Sequence, residues 1–119
     1  MLKILLILLI AVSGWSTTYY VRSGATGAGT GADWTNAYIS LPSTLERGST
    51  YYIAGGTYSI YRFDDLEKGD TVITIKKATE SDHGTDIGWN NIYAINQAIF
   101  TASQGPIFEF RTGYYTIDG

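Results

Sequence analysis

The sequence predicts an all-β protein. Three observations carry that expectation: short runs of β-branched and aromatic residues recur along the chain, turn-forming residues bound each run, and hardly any stretch sustains a helical pattern. Ten tyrosines and fourteen glycines among 119 residues set the composition. Glycine supplies tight turns, while tyrosine and threonine suit a pleated, half-buried surface. The chain has no cysteine, so neither a disulfide framework nor a thiolate metal site can form. Stability has to come from packing and backbone pairing.

In chain order, the first element expected is an export signal over residues 1–16. Lys3 supplies a positive n-region, Ile4 to Val12 form an unbroken apolar run, and small residues follow at Ser13, Gly14 and Ser16. The run is shorter than the roughly 20 residues of a membrane-spanning helix. Cleavage after Ser16 is the expectation, with an uncleaved N-terminal anchor as the alternative; either way the remainder faces outside. Six strands are then expected: Thr18 to Val21, Thr50 to Ala54, Thr71 to Lys77, Ala98 to Ala102, Ile107 to Arg111 and Tyr114 to Ile117. Alternation puts Ile73 and Ile75 on one face of the third, pointing into a core, with Val72, Thr74 and Lys76 on the other. The same arithmetic pairs Phe108 with Phe110 and Tyr115 with Ile117. One stretch invites a short helix: from Asn36 to Arg47, Tyr38, Leu41 and Leu45 fall at helical spacing after an Asn36 cap, and Pro42 limits its length. The alternating run at Tyr114–Ile117 ends without a closing element, so the chain reads as the beginning of a longer protein. A complete small binding module is the competing view.

The order of landmarks resembles the N-terminal end of secreted right-handed parallel β-helix proteins of the pectate-lyase-like superfamily. Tyr19-Tyr20-Val21 follows the signal, then the glycine loop Gly24–Gly31, Trp34-Thr35-Asn36-Ala37-Tyr38, and Leu41-Pro42 leading to Arg47-Gly48. Thr50–Tyr58 looks like the family's first rung and turn, Ile73–Ala78 like the next rung, and Ile117-Asp118-Gly119 like the end of a later one. The sequence departs from many relatives in having Pro42 where they carry a longer amphipathic helix, and glycine at 55 and 56 where they often have proline. The resemblance implies the N-terminal cap and first coils of a right-handed parallel β-helix, incomplete at the C-terminus. Residues 17–69 form the cap and first rung and residues 70–119 the first coils. Such a stack exposes an unpaired edge and an apolar interior at an open end. Leu41, Leu45 and Trp34 are expected to cover it at the cap, Trp34 as a core residue rather than a sugar-stacking platform.

For function, the resemblance implies binding or degradation of polysaccharide, by a lyase- or hydrolase-like activity carried on rungs beyond this segment. Pectate lyases of the superfamily hold Ca²⁺ with acidic side chains and abstract a uronate proton with a basic residue. The residues here supply neither a catalytic set nor a metal set, so no cofactor is evident and Ca²⁺ is expected only with the full-length parent. A non-catalytic cell-surface or adhesive stalk is the alternative. Eight Lys and Arg against eleven Asp and Glu, with Lys76-Lys77 the one basic pair, exclude the stripe a nucleic-acid binder needs. The glycine loop does not satisfy G-x-G-x-x-G and lacks a following Gly-Lys-Ser/Thr, so it reads as a surface loop rather than a phosphate cradle. Asp64-Asp65 read as solvated turn residues. The candidate contacts to carbohydrate or a cation are Asp82, His83 and Asp86, two carboxylates and the sole histidine within one glycine-containing loop, although Asp and Gly also favour such a turn for structural reasons alone. No serine has a recognisable base partner.

Overall fold

A computed structural model describes residues 16–119; the expected signal segment lies outside the described residues except for Ser16. Eight strands and one helical turn follow in order: β1 Thr18–Val21, β2 Thr50–Ile53, β3 Gly56–Ser59, β4 Tyr61–Phe63, β5 Ile73–Lys77, α1 Ile92–Ile95, β6 Ala98–Thr101, β7 Phe108–Phe110 and β8 Tyr115–Asp118. The molecule is all-β in character, and every strand pairing is parallel. The strands make a four-stranded sheet in the order β1-β2-β5-β8 and two further pairs, β3-β6 and β4-β7. From β2 onward the chain visits the first, second and third sheets in turn, repeats that circuit through β5, β6 and β7, and returns to the first sheet at β8.

Register makes columns of like residues. Tyr19, Tyr51, Ile75 and Ile117 stand opposite one another across the first sheet, while the neighbouring column is Thr18, Thr50, Thr74 and Thr116. Side chains alternate faces along a strand, so one column points inward and the other outward. Val21, Tyr51, Ile53, Ile73 and Ile75 join Tyr58 of β3 and Phe63 of β4 in a single buried cluster enclosed by the three sheets. Phe63 is fully buried and lies against Tyr61, Phe108, Phe110 and Tyr115, with ring centroids between 4.7 and 5.5 Å away. Leu41 and Leu45 belong to this cluster, as expected of residues that close its end.

No helix forms between Asn36 and Arg47. Tyr38 instead bridges to Val21 in parallel, its N–H donating to Tyr20 O at 2.9 Å and its C=O accepting from Arg22 N–H at 2.7 Å. That pairing uses the backbone groups a helix would need, and the Asn36 side chain bonds Asp33 and Ala28 N–H rather than capping a helical turn. Trp34 is buried as expected, but not among the residues that close the interior. It belongs to a second cluster with Tyr20, Ala37, Ala54 and Ala78, against which Tyr52, Trp89 and Tyr93 pack. Tyr20 and Tyr52 have the opposite parity to Val21 and Ile53, which puts this cluster on the outer face of the first sheet.

Asp65 also departs from expectation, since it is buried rather than solvated. Its Oδ1 accepts from Leu45 N–H at 2.6 Å and its Oδ2 from the Tyr115 hydroxyl at 2.9 Å. Beside it, Arg47 donates to the carbonyl oxygens of Asp65, Leu66, Gly113 and Tyr114 at 2.8–3.1 Å, and its guanidinium lies 4.6 Å from the centroid of the Tyr115 ring. The planar fork with five donors suits this convergence of carbonyl groups. Arg47 and Asp65 thereby join the segment after β1 and the turn after β4 to the last strand across the intervening circuits.

Candidate functional site

Asp82, His83 and Asp86 lie in the loop that follows β5, and the fold gives them different partners. Asp82 reaches back over the outer face of the first sheet, accepting a 2.6 Å hydrogen bond from the Tyr52 hydroxyl on β2 and pairing with Lys76 on β5. Lys76, then the Tyr52 hydroxyl, hold the Asp82 carboxyl below the usual carboxylate range; Asp82 in turn raises the pKa of Lys76. The Tyr52 hydroxyl is pushed up to about 12, chiefly by burial and then by its bond to Asp82.

His83 and Asp86 form a separate pair. The imidazole Nε2 lies 2.7 Å from Asp86 Oδ1 and Nδ1 lies 3.1 Å from Thr79 O. The ring stacks on Trp89 with centroids 3.9 Å apart and planes 6° from parallel. Burial opposes charge on His83, but its hydrogen bonds to Asp86 and to backbone oxygens outweigh it and raise the pKa above its ordinary 6.5. The loop backbone is anchored independently: Trp34 Nε1–H donates to His83 O at 3.0 Å, and Thr85 N–H donates to the Tyr20 hydroxyl at 2.8 Å. Gly84 between them has φ +66°, and a Cβ there would run into the Tyr20 ring, so only glycine fits this close approach. Trp34 thus serves the loop from inside the cluster and offers no face to a sugar.

These residues do not make a Ca²⁺ cage. Asp82 is paired with Lys76 and Asp86 with the His83 ring, and among the described residues no three His, Cys, Asp or Glu side chains converge as a metal set. Comparison with known proteins gives no match, whether to a family model, a curated protein or a solved structure. Among the described residues, no helix is long and apolar enough to cross a membrane.

What the candidate loop borders is more extensive than the loop. Thr18, Thr50, Thr74 and Thr116 line the outer face of the first sheet in one column, and Tyr20, Tyr52, Lys76 and Asp118 form the next. Adjacent strands are about 4.8 Å apart, so the threonine hydroxyls repeat at that interval across the sheet. Tyr52, Trp89 and the threonine column were not among the residues singled out by sequence, and Lys76 stood out only as half of a basic pair. A signal was present, because Thr18-Tyr19-Tyr20, Thr50-Tyr51-Tyr52, Thr74-Ile75-Lys76 and Thr116-Ile117-Asp118 all place threonine two residues before a larger polar side chain.

Two other regions bear on chemistry. Lys77 points opposite to Lys76 and gives its ammonium protons to the carbonyl oxygens of Ala78, Tyr93 and Ala94 at 2.7–3.2 Å; burial lowers its pKa. It borders an open apolar cavity of about 420 Å³ between Ile53, Ile75, Phe100, Phe108 and Ile117, at the end of the interior away from Leu41. On the third sheet, Glu109 binds Arg62 at 2.9 Å and Arg111 at 2.7 Å. These cations hold its carboxyl below the usual range, Arg62 most strongly.

Proposed function

We propose that this chain is the N-terminal cap and first coils of a secreted right-handed parallel β-helix whose outer sheet face binds polysaccharide. The observation that carries the reading is the outer threonine column, Thr18, Thr50, Thr74 and Thr116, flanked by Tyr52 and Lys76. Repeated hydroxyls on a rigid sheet offer donors and acceptors to an extended, hydroxyl-rich polymer, and an aromatic ring at the margin offers an apolar face. The repeated circuit through three parallel sheets supports the coil reading. The apolar cavity beside Ile117 and the outermost strands β6, β7 and β8 are consistent with that reading. Fold analogy sets the class of partner and leaves the chemistry to the site. Any lyase or hydrolase step, with or without Ca²⁺, belongs to rungs other than those described. Binding of the chain to immobilised polyuronates and neutral glycans tests the reading. The expected result is retention that weakens several-fold in a Thr50→Val, Thr74→Val variant; no retention on either panel would refute it.

A second reading, a non-catalytic surface or adhesive scaffold, draws support from the carboxylates of the candidate loop. Asp82 is already paired with Lys76 and Asp86 with the His83 ring of this chain. Under that reading the glycan panels give no retention while the protein remains bound to the surface of cells that produce it.

A further inference from the structure

The hydrogen bonding of His83 cannot be satisfied by a neutral ring. Neutral imidazole has one N–H and one lone pair, but here both nitrogens face acceptors, Thr79 O at 3.1 Å and Asp86 Oδ1 at 2.7 Å. With the proton on Nδ1, the Nε2 lone pair confronts a carboxylate; with the proton on Nε2, the Nδ1 lone pair confronts a carbonyl oxygen. Only the imidazolium donates to both. The parallel stack on Trp89 adds to this preference, since an indole face attracts a cation.

We propose that His83 is a pH-operated latch: protonated, it clasps the loop from Thr79 to Trp89 upon itself through Thr79 O, Asp86 and the Trp89 ring, and deprotonated, it frees Asp86 and loosens the turn from Ser81 to Gly88 while the anchors to the first sheet hold. The latch differs from the other loop anchors in carrying a proton that leaves near neutrality. Its side chain is 13% exposed, whereas that of Asp86 is 92% exposed, so once the attraction is gone Asp86 turns to water at little cost. Other charges around the ring are already engaged. Within the loop, Asp82 is bound to Lys76 of β5 and to the Tyr52 hydroxyl of β2, and Glu80 accepts from Asn91. From β1 the Tyr20 hydroxyl faces the loop backbone at Thr85. Arg22, just beyond β1, donates to Trp34 O and lies over the Tyr93 ring, and Lys77 is spent on carbonyl oxygens. Asp86 is therefore the carboxylate that the ring proton answers to. The inference rests on the loop alone and stands or falls independently of what the sheet face binds.

The chain holds a single histidine, so its imidazole resonances report the latch without ambiguity. The experiment is an NMR titration of the full chain between about pH 5 and 9, with hydrogen exchange of the loop amides and tryptophan emission followed in parallel. The expected midpoint lies above 6.5. Through that midpoint, Trp89 emission should rise as the stacked cation disappears, and protection of the Ser81–Gly88 amides should fall. Asp86→Asn should bring the midpoint down, and His83→Gln should abolish the pH dependence of loop protection. A midpoint at or below 6.5, loop protection that ignores pH after correction for intrinsic exchange, or unchanged behaviour in His83→Gln would overturn the proposal. Should His83→Gln fail to fold, the Asp86→Asn midpoint decides.

Discussion

A proton on His83 is worth stability only while the folded ring holds it more tightly than the unfolded chain does. Its folded pKa is raised above 6.5, so the stabilisation is complete below that value and is lost as pH rises through the folded pKa. Because Asp86 is exposed, the gain is at most about 1 kcal/mol. Melting temperatures of the parent and His83→Gln, followed by circular dichroism, should therefore differ by a few degrees below pH 6.5 and draw together as pH rises through the folded midpoint. Asp65 is a larger matter. Asp65→Ala strands the Leu45 N–H and leaves the Tyr115 hydroxyl only Thr112 Oγ1 to donate to, and should cost about 2 kcal/mol in urea denaturation, whereas Asp65→Asn keeps an acceptor in place and should cost less. Sequence alone presented Asp65 as an ordinary turn residue beside Asp64, because its two partners lie 20 and 50 positions away. The same distance effect governs the candidate loop. The proximity of Asp82, His83 and Asp86 is plain in the sequence, but the division into an Asp82–Lys76–Tyr52 group and an Asp86–His83–Trp89 group depends on how the loop folds back.

Strands were legible where alternation runs long enough to define a face. β5 is the clear case, with Ile73 and Ile75 buried and Thr74 and Lys76 outward. β3 and β4 escaped notice because Gly56–Ser59 and Tyr61–Phe63 are too short for a period to emerge and follow a glycine pair that reads as a turn. Their strand character comes from parallel partners in β6 and β7 roughly forty residues later. The expected helix failed for a related reason: a bridge to β1 claims the backbone of Tyr38 before local spacing can act. The close stacking of successive circuits makes Gly55 a sensitive point. A Cβ at Gly55 would strike the Asn96 backbone, the approach to β6, and backbone yields less readily than a side chain. Gly55→Ala should lower the urea midpoint by an amount equivalent to about 2 kcal/mol. Gly105→Ala, with open space around its Cβ, should cost less and only through its positive φ.

Across the whole molecule the two ends of the interior are finished differently. Leu41 and Leu45 close one, while at the other Ile117 is 44% exposed and Phe110 52% exposed beside the outermost strands. Unpaired parallel edges flanked by apolar side chains recruit other strands. Light scattering of the 119-residue chain should therefore grow with concentration, and Ile117→Lys should suppress that growth while shifting thermal stability by less than about 1 kcal/mol. Arg47 adds a dimension of time. Its carbonyl partners run from Asp65 to Tyr114, so a ribosome making the chain from its N-terminus presents the guanidinium long before the last of those oxygens exists. The earlier strands can pair during synthesis, yet the bolt that Arg47 forms has nothing to enter until Gly113 and Tyr114 have emerged.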